Sequence, residues 1–113
     1  MIFYGLKTCD TCKKALKALE AAGRAPEVLD VRADGVPEAV MADWLADLGP
    51  GILVNTRSTT WRGLDDQQRA QAGSADGALA LLQANPTLMK RPVIVSDDQV
   101  YVGWTKVVQA ALL

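Results

Sequence analysis

The chain has 113 residues, of which 50% are hydrophobic and 22% charged, a length and composition typical of one globular domain rather than a disordered or fibrous protein. Twelve basic and thirteen acidic residues leave a formal net charge of -1, so bulk charge favours neither nucleic acid nor an anionic membrane as a partner. Because no signal peptide or membrane-length apolar stretch is apparent, we expect a cytoplasmic protein without membrane or direct nucleic-acid contacts.

The first part of the chain predicts a strand, a helix and a second strand. Ile2–Gly5 is a short apolar run, and residues 12–22 place leucines opposite lysines at helical spacing. Gly23 suits the end of that helix, and residues 27–31 alternate as a strand would. Two strands joined through a helix are predicted to be parallel neighbours.

The middle of the chain reads as mainly helical. Pro37 suits the first position of a helix that continues until Gly49-Pro50-Gly51. Residues 55–63 form a polar segment that we expect near a site, and residues 64–71 predict a short helix. A clearer helix is predicted over residues 74–84, with its first residue as the N-cap.

The last part of the chain predicts a hairpin and a closing helix. The apolar segments 92–95 and 100–102 flank a turn-rich spacer, residues 96–99. Residues 104–113 have the spacing of a final helix. The order of elements predicts an α/β fold with a mixed four-stranded sheet and flanking helices.

The two cysteines, Cys9 and Cys12, are separated by two residues and form the whole cysteine content of the chain. In a reducing compartment, such a pair is more often catalytic, redox-sensing or metal-binding than structural. The chain has no histidine, which excludes a Cys–His dyad, and two thiolates fall short of a zinc site. We therefore expect no metal and favour redox chemistry.

Placement at the start of the first helix would activate Cys9. The helix N-terminus, together with the nearby Lys7, Lys13 and Lys14, would favour the thiolate over the thiol. Lowering the pKa by about two units from ~8.5 would make roughly three quarters of the thiol anionic at pH 7. Cys12, at about the third helical position, is a candidate resolving thiol.

Three blocks, residues 3–15, 55–62 and 85–95, together resemble the arsenate reductase-related family, to which the Spx transcriptional regulators also belong. The resemblance extends over nearly the whole chain. It implies a thioredoxin-like fold in a single domain, residues 1–113, with a helical insertion at about residues 34–85.

The resemblance also implies roles for individual residues. Cys9 matches the nucleophile of the family, Arg57 and Arg91 match arginines that bind the oxyanion, and Pro92 matches a cis proline beside the cysteine. Lys13 stands where arsenate reductases have an arginine, and we include it among the anion-binding candidates. The family's third oxyanion arginine has no counterpart in the segment 103–105, which disfavours arsenate as the substrate.

Two functions are compatible with these observations. The first is a thiol-dependent reductase with no bound cofactor, which uses glutathione or another small thiol as co-substrate and Cys9 as nucleophile. The alternative is an Spx-like regulator that binds the RNA polymerase alpha subunit and switches through a Cys9–Cys12 disulfide. The sequence favours the reductase, because residues 59–62 are more similar to that branch of the family.

Overall fold

The structure is a computed structural model that describes residues 1–113. Its secondary structure follows the predicted order of strands and longer helices, and adds two four-residue helices and a 3-10 turn. The elements are β1 (Ile2–Gly5), α1 (Asp10–Ala21), β2 (Glu27–Asp30), α2 (Glu38–Leu48), α3 (Pro50–Leu53), α4 (Thr59–Arg62), α5 (Asp66–Gln71), α6 (Ala75–Ala84), a 3-10 turn (Pro86–Leu88), β3 (Val93–Ser96), β4 (Gln99–Val102) and α7 (Lys106–Leu112).

The four strands form one mixed sheet in the order β2-β1-β3-β4. β1 is parallel to β2 and antiparallel to β3, so that Phe3 pairs with Val28 on one side and Ile94 on the other. β3 and β4 are antiparallel neighbours. The predicted mixed sheet, its parallel first pair and its hairpin are therefore confirmed.

The hairpin turn is tighter than the predicted four-residue spacer. Ser96 and Gln99 are paired, so only Asp97 and Asp98 connect the strands. Their φ angles are 50° and 62°, the left-handed conformation that a two-residue type I′ turn requires at both positions. This turn twists in the same sense as the flanking strands, and the strands are longer at the turn than predicted.

Helix α1 begins directly after Cys9, so Cys9 is its N-cap and Cys12 its third residue, as predicted. It ends in a Schellman motif, in which Arg24 N–H donates to Leu19 O at 2.9 Å and Gly23 N–H donates to Glu20 O at 3.0 Å. Gly23 has a φ of 79°, a conformation that glycine adopts without a Cβ clash. The predicted role of Gly23 at the helix end is confirmed.

The sheet, α1 and α7 belong to one compact unit, which comprises residues 1–34 and 91–113. One face of α1 packs into the core of this unit, while its lysines are exposed. The buried cluster consists of Phe3, Cys12, Ala15, Leu19, Ile94, Val108 and Leu112. Removing these side chains from water stabilises the position of α1 against the sheet.

The second compact unit comprises residues 35–90 and contains helices α2 to α6. Its core includes Trp44 of α2 together with leucines of α6. Val54 and Met89 form an isolated antiparallel bridge. It pairs the residue that follows α3 with the residue that follows the 3-10 turn. None of the helices of the chain combines the length and apolar content needed to cross a membrane.

Several predictions for this helical unit were wrong in detail. Pro37 is the N-cap of α2 rather than its first helical residue. Part of the predicted polar segment 55–63 is helix α4, which begins after Ser58 because the hydroxyl of Ser58 accepts a hydrogen bond from Trp61 N–H at 3.1 Å. The predicted helix over 74–84 is confirmed, with Ser74 as its N-cap.

Candidate active site

Cys9 lies in the loop between β1 and α1 and is the N-cap residue of the helix. Its N–H donates to Leu6 O at 3.0 Å, and its carbonyl accepts from Lys13 N–H at 3.0 Å. The thiol is partly buried and reduced. Because the first N–H groups of a helix lack partners within the helix, this position favours an anionic side chain.

The carboxylate of Asp30, at the end of β2, anchors the loop that carries Cys9. It accepts hydrogen bonds from the N–H groups of Lys7 at 3.3 Å, Arg32 at 2.8 Å and Ala33 at 2.9 Å. These hydrogen bonds, that of Ala33 above all, hold the pKa of Asp30 below its usual value. The ionised carboxylate therefore ties the loop after β1 to the neighbouring parallel strand.

Arg91 and Pro92 immediately precede β3, the strand that pairs with β1. The Arg91–Pro92 peptide bond is cis, as the family resemblance implied. Pro92 is buried, and its carbonyl accepts a hydrogen bond from Gly103 N–H at 2.8 Å. Strand pairing thus brings Arg91, 82 positions later in the chain, to the end of the sheet where Cys9 lies.

The surroundings of Cys9 stabilise its thiolate. Burial by itself would raise the pKa of Cys9, but hydrogen bonds from the Cys12 N–H, the Cys12 thiol and Arg91, together with the positive charge of Arg91, lower it overall. Cys9 is therefore a stronger acid than an ordinary cysteine, and its thiolate is the nucleophilic form.

The two cysteines differ in their chemistry although they are only three positions apart. Cys12 has 1% of its surface exposed and belongs to the core. Burial, as the largest cause, and the neighbouring Cys9 together raise the pKa of Cys12 to about 11. Cys12 therefore remains a thiol at neutral pH, and its S–H donates a hydrogen bond to Cys9.

The other two predicted site residues are Lys13 and Arg57, and no side-chain contact with Cys9 is assigned to either of them. Lys13 is an exposed residue of α1. Arg57 belongs to the helical unit, where its N–H donates to Asn55 Oδ1 at 3.1 Å and its side chain is exposed. Their roles in anion binding, and the placement of the segment 55–63 near a site, remain predictions.

A largely apolar cavity of about 340 Å³ adjoins the cysteine pair on the side of Cys12. Its walls come from β1, α1 and β2, and they include Phe3, Leu16 and Leu29. Lys13 and Asp34 also line it, so that both signs of charge are present. No group of three or more acidic or sulfur-bearing side chains that could hold a metal ion is present.

The groups that lower the pKa of Cys9 are only partly those predicted. The prediction named the helix N-terminus, which contributes through the Cys12 N–H, and Lys7, Lys13 and Lys14, which do not contribute. The Cys12 thiol and Arg91 supply the rest of the lowering. The signal for Arg91 was present only as a family resemblance, because nothing in the spacing of Cys9 and Arg91 indicates a contact. The strand pairing of β1 with β3 creates that contact.

Comparison with known proteins gives the chain a family. The model of the ArsC family matches residues 4–109. The chain belongs to the ArsC family. An uncharacterized protein of Haemophilus influenzae is 42% identical to this chain over 103 residues, which cover 91% of this chain and 90% of that protein.

Solved structures similar to this ArsC-family chain confirm its fold. The YFFB protein has a TM-score of 0.91 and 34% identity, covering 99% of this chain and 97% of its own. An arsenate reductase (ArsC) related protein from Brucella melitensis has a TM-score of 0.77 and 32% identity, covering 97% of this chain and 91% of its own. The predicted thioredoxin-like fold and the recognised family are both confirmed.

Proposed function

We propose that this ArsC-family protein is a thiol-dependent reductase in which the Cys9 thiolate attacks the substrate and glutathione, or another small thiol, is the co-substrate. The observation that carries the proposal is the convergence of Arg91 and the N–H and S–H of Cys12 on the Cys9 sulfur. Family membership supports the reductase class, since one similar structure is an arsenate reductase-related protein.

The first step is thiol–disulfide exchange. The Cys9 thiolate attacks the glutathione sulfur of a mixed disulfide, a Cys9–glutathione disulfide forms, and the other sulfur leaves with the electron pair of the broken S–S bond. The leaving thiolate then takes a proton from solvent. The substrate is thereby reduced by two electrons and Cys9 is oxidised to the mixed disulfide.

The second step regenerates Cys9, and the structure favours an external thiol for it. The thiolate of a second glutathione attacks the sulfur of the bound glutathione, which yields glutathione disulfide and the free Cys9 thiolate. Cys12 is a poor attacking group, because a pKa of about 11 leaves on the order of one molecule in ten thousand ionised at pH 7. Its burial restricts access further.

Arg91 has two roles in this proposal. Its guanidinium stabilises the Cys9 thiolate before the attack. Once Cys9 is in a neutral disulfide, the same guanidinium can bind a carboxylate of glutathione, for which its fork of donors is suited. Arg57 is the second proposed carboxylate-binding residue, and Lys13 a third.

The proposal is tested by turnover of the mixed disulfide of glutathione and 2-mercaptoethanol, with glutathione as reductant. We expect turnover in the wild type, a loss of at least 100-fold in Cys9→Ser, and retention within threefold in Cys12→Ser, whose hydroxyl preserves a donor near Cys9. Thr8→Ser is a conservative control in the same loop and should retain wild-type turnover.

The outcomes separate the two routes and can overturn the proposal. Equal loss in Cys9→Ser and Cys12→Ser would mean that Cys12 is the resolving thiol, which contradicts the external-thiol step. Absence of turnover in the wild type with glutathione would contradict the reductase itself.

The regulator hypothesis is favoured by one observation, the contact between the two thiols, because a Cys9–Cys12 disulfide could form without a large movement. In that case, the oxidised protein should bind purified RNA polymerase alpha subunit in a pull-down, and turnover should be absent. Turnover without a complex would favour the reductase.

A further inference from the structure

A second cleft, within the helical unit, combines two cations with an aromatic side chain. It has a volume of about 300 Å³ and is lined by residues from α3, α4, α5 and the segment that ends the unit. The lining includes Val54, Thr56, Trp61, Arg69 and Lys90 but no acidic residue. The cleft is therefore locally positive, although residues 35–90 as a whole contain more acidic than basic side chains.

The guanidinium of Arg69 is held in place by the fold. Its Nε donates to Trp61 O at 3.3 Å and its Nη2 donates to Arg62 O at 3.1 Å, which satisfies the last carbonyls of α4. Its central carbon lies 5.9 Å from the centre of the Trp61 ring, within the range of a cation–π interaction. An arginine fixed in this way loses little conformational entropy when it binds a ligand.

Arg69 and Lys90 both have N–H groups that are available to a ligand. Nη1 of Arg69 has a contact of 3.9 Å with Asp66, whose side chain is fully exposed, and such a surface pair is weak. The side chain of Lys90 forms no ion pair or hydrogen bond within the chain. An oxyanion could therefore bind both cations without displacing a buried interaction.

We propose that this cleft binds a small organic anion, a carboxylate or phosphate monoester with an apolar body. Arg69 and Lys90 would hold the anionic group, Thr56 would offer a hydroxyl, and the apolar body would pack against Trp61 and Val54. All of the residues that line the proposed site belong to the helical unit, and neither cysteine is among them.

The test is a titration of the ¹⁵N-labelled full-length protein, followed by NMR, with benzoate, phenyl phosphate, inorganic phosphate and benzyl alcohol. We expect both aromatic anions to shift the Trp61 indole signal, assigned with Trp61→Phe, with dissociation constants on the order of 1 mM. Inorganic phosphate lacks the apolar body and benzyl alcohol lacks the charge, so each should bind at least fivefold more weakly.

Matched variants decide whether the cations are responsible. Lys90→Gln removes a charge without breaking a side-chain contact and should weaken binding of phenyl phosphate at least fivefold. Arg62→Gln removes the same charge from an exposed side chain outside the cleft and should leave binding within twofold. Arg69→Lys keeps the charge but loses the fork, and it should weaken binding while the spectrum of the free protein shows a folded chain.

Three results would overturn the site. These are no saturable shift with either aromatic anion at 10 mM, equal weakening by Lys90→Gln and Arg62→Gln, and shifts centred on Cys9 rather than Trp61. Because turnover at Cys9 is not measured, failure of this inference leaves the proposed reductase unaffected.

Discussion

At the scale of single residues, the environment decides which of two identical thiols is ionised. Cys9 is partly exposed and receives hydrogen bonds from Cys12 and Arg91, whereas Cys12 is enclosed by core side chains. Low polarity disfavours the anion of Cys12, and donors favour the anion of Cys9. The buried thiol thus supports the reactive one by keeping its proton.

Replacing Arg91 should make Cys9 less acidic. Arg91→Gln removes the charge and part of the hydrogen bonding, so we expect the pKa of Cys9 to rise. Arg91→Lys keeps the charge and should give a smaller rise. The measurement is the pH dependence of alkylation by iodoacetamide, with mass spectrometry to separate Cys9 from Cys12. An unchanged profile in Arg91→Gln would contradict this prediction. Arg24→Gln, at an exposed position, is the control and should keep the wild-type profile.

The raised pKa of Cys12 predicts a loss of stability in alkali. The unfolded chain releases this proton near its ordinary pKa of 9.0, whereas the folded protein retains it up to about 11. Between these values the unfolded state binds fewer protons, so the free energy of unfolding falls as pH rises. Urea midpoints at pH 7, 9 and 10.5 should fall more steeply in the wild type than in Cys12→Ala; equal slopes would assign the alkaline loss to other groups.

Gly5 is required because of its neighbours and not because of an unusual φ. A Cβ at this position would lie 2.6 Å from Phe3 Cε1 and 3.1 Å from Cys12 Sγ. We expect Gly5→Ala to lower the free energy of unfolding by about 1–3 kcal/mol, the usual range for overpacking a core. Denaturant unfolding provides the measurement, and Gly51→Ala, whose Cβ would meet no atom within 4 Å, should lack this effect.

At the scale of elements, the β3–β4 hairpin offers a local test of stability. Asp98 adopts a φ of 62°, which glycine adopts without the steric penalty of a side chain. Asp98→Gly should therefore raise the free energy of unfolding by about 0.5–1 kcal/mol. Asp97→Ala, at a φ of 50°, should lower the free energy of unfolding. Thermal unfolding measures both variants, and a decrease in the thermal midpoint of Asp98→Gly would contradict the assigned turn.

The elements that were predicted well have a local signal, and those predicted poorly do not. The helix over residues 74–84 has an N-cap serine and apolar spacing, and α6 follows both. The four-residue helices α3 and α4 are too short to show a period. Their formation depends on caps and on packing within residues 35–90, so sequence spacing could not reveal them.

At the scale of the whole molecule, the departures from the family pattern predict the choice of substrate. The third oxyanion arginine of arsenate reductases has no counterpart in the segment 103–105, which here contains Trp104. We expect at least 100-fold lower turnover of arsenate than of a glutathione mixed disulfide at equal concentration, because a missing bidentate contact weakens oxyanion binding. Coupled assays that measure glutathione disulfide compare the two, and comparable rates would contradict the expectation.

The sequence by itself determined the order of the strands and longer helices, the family and the thiol pair. Each of these depends on residues that are close in the chain, namely apolar spacing, capping residues and Cys9 with Cys12. The tertiary structure decided the acidities of the two thiols. Only the pairing of β1 with β3 brings Arg91 to Cys9, and only the core around α1 buries Cys12. The pKa of a thiol depends on desolvation and on all nearby donors. The Cys12 N–H is a donor that local spacing indicates, whereas burial and the Arg91 donor depend on tertiary packing.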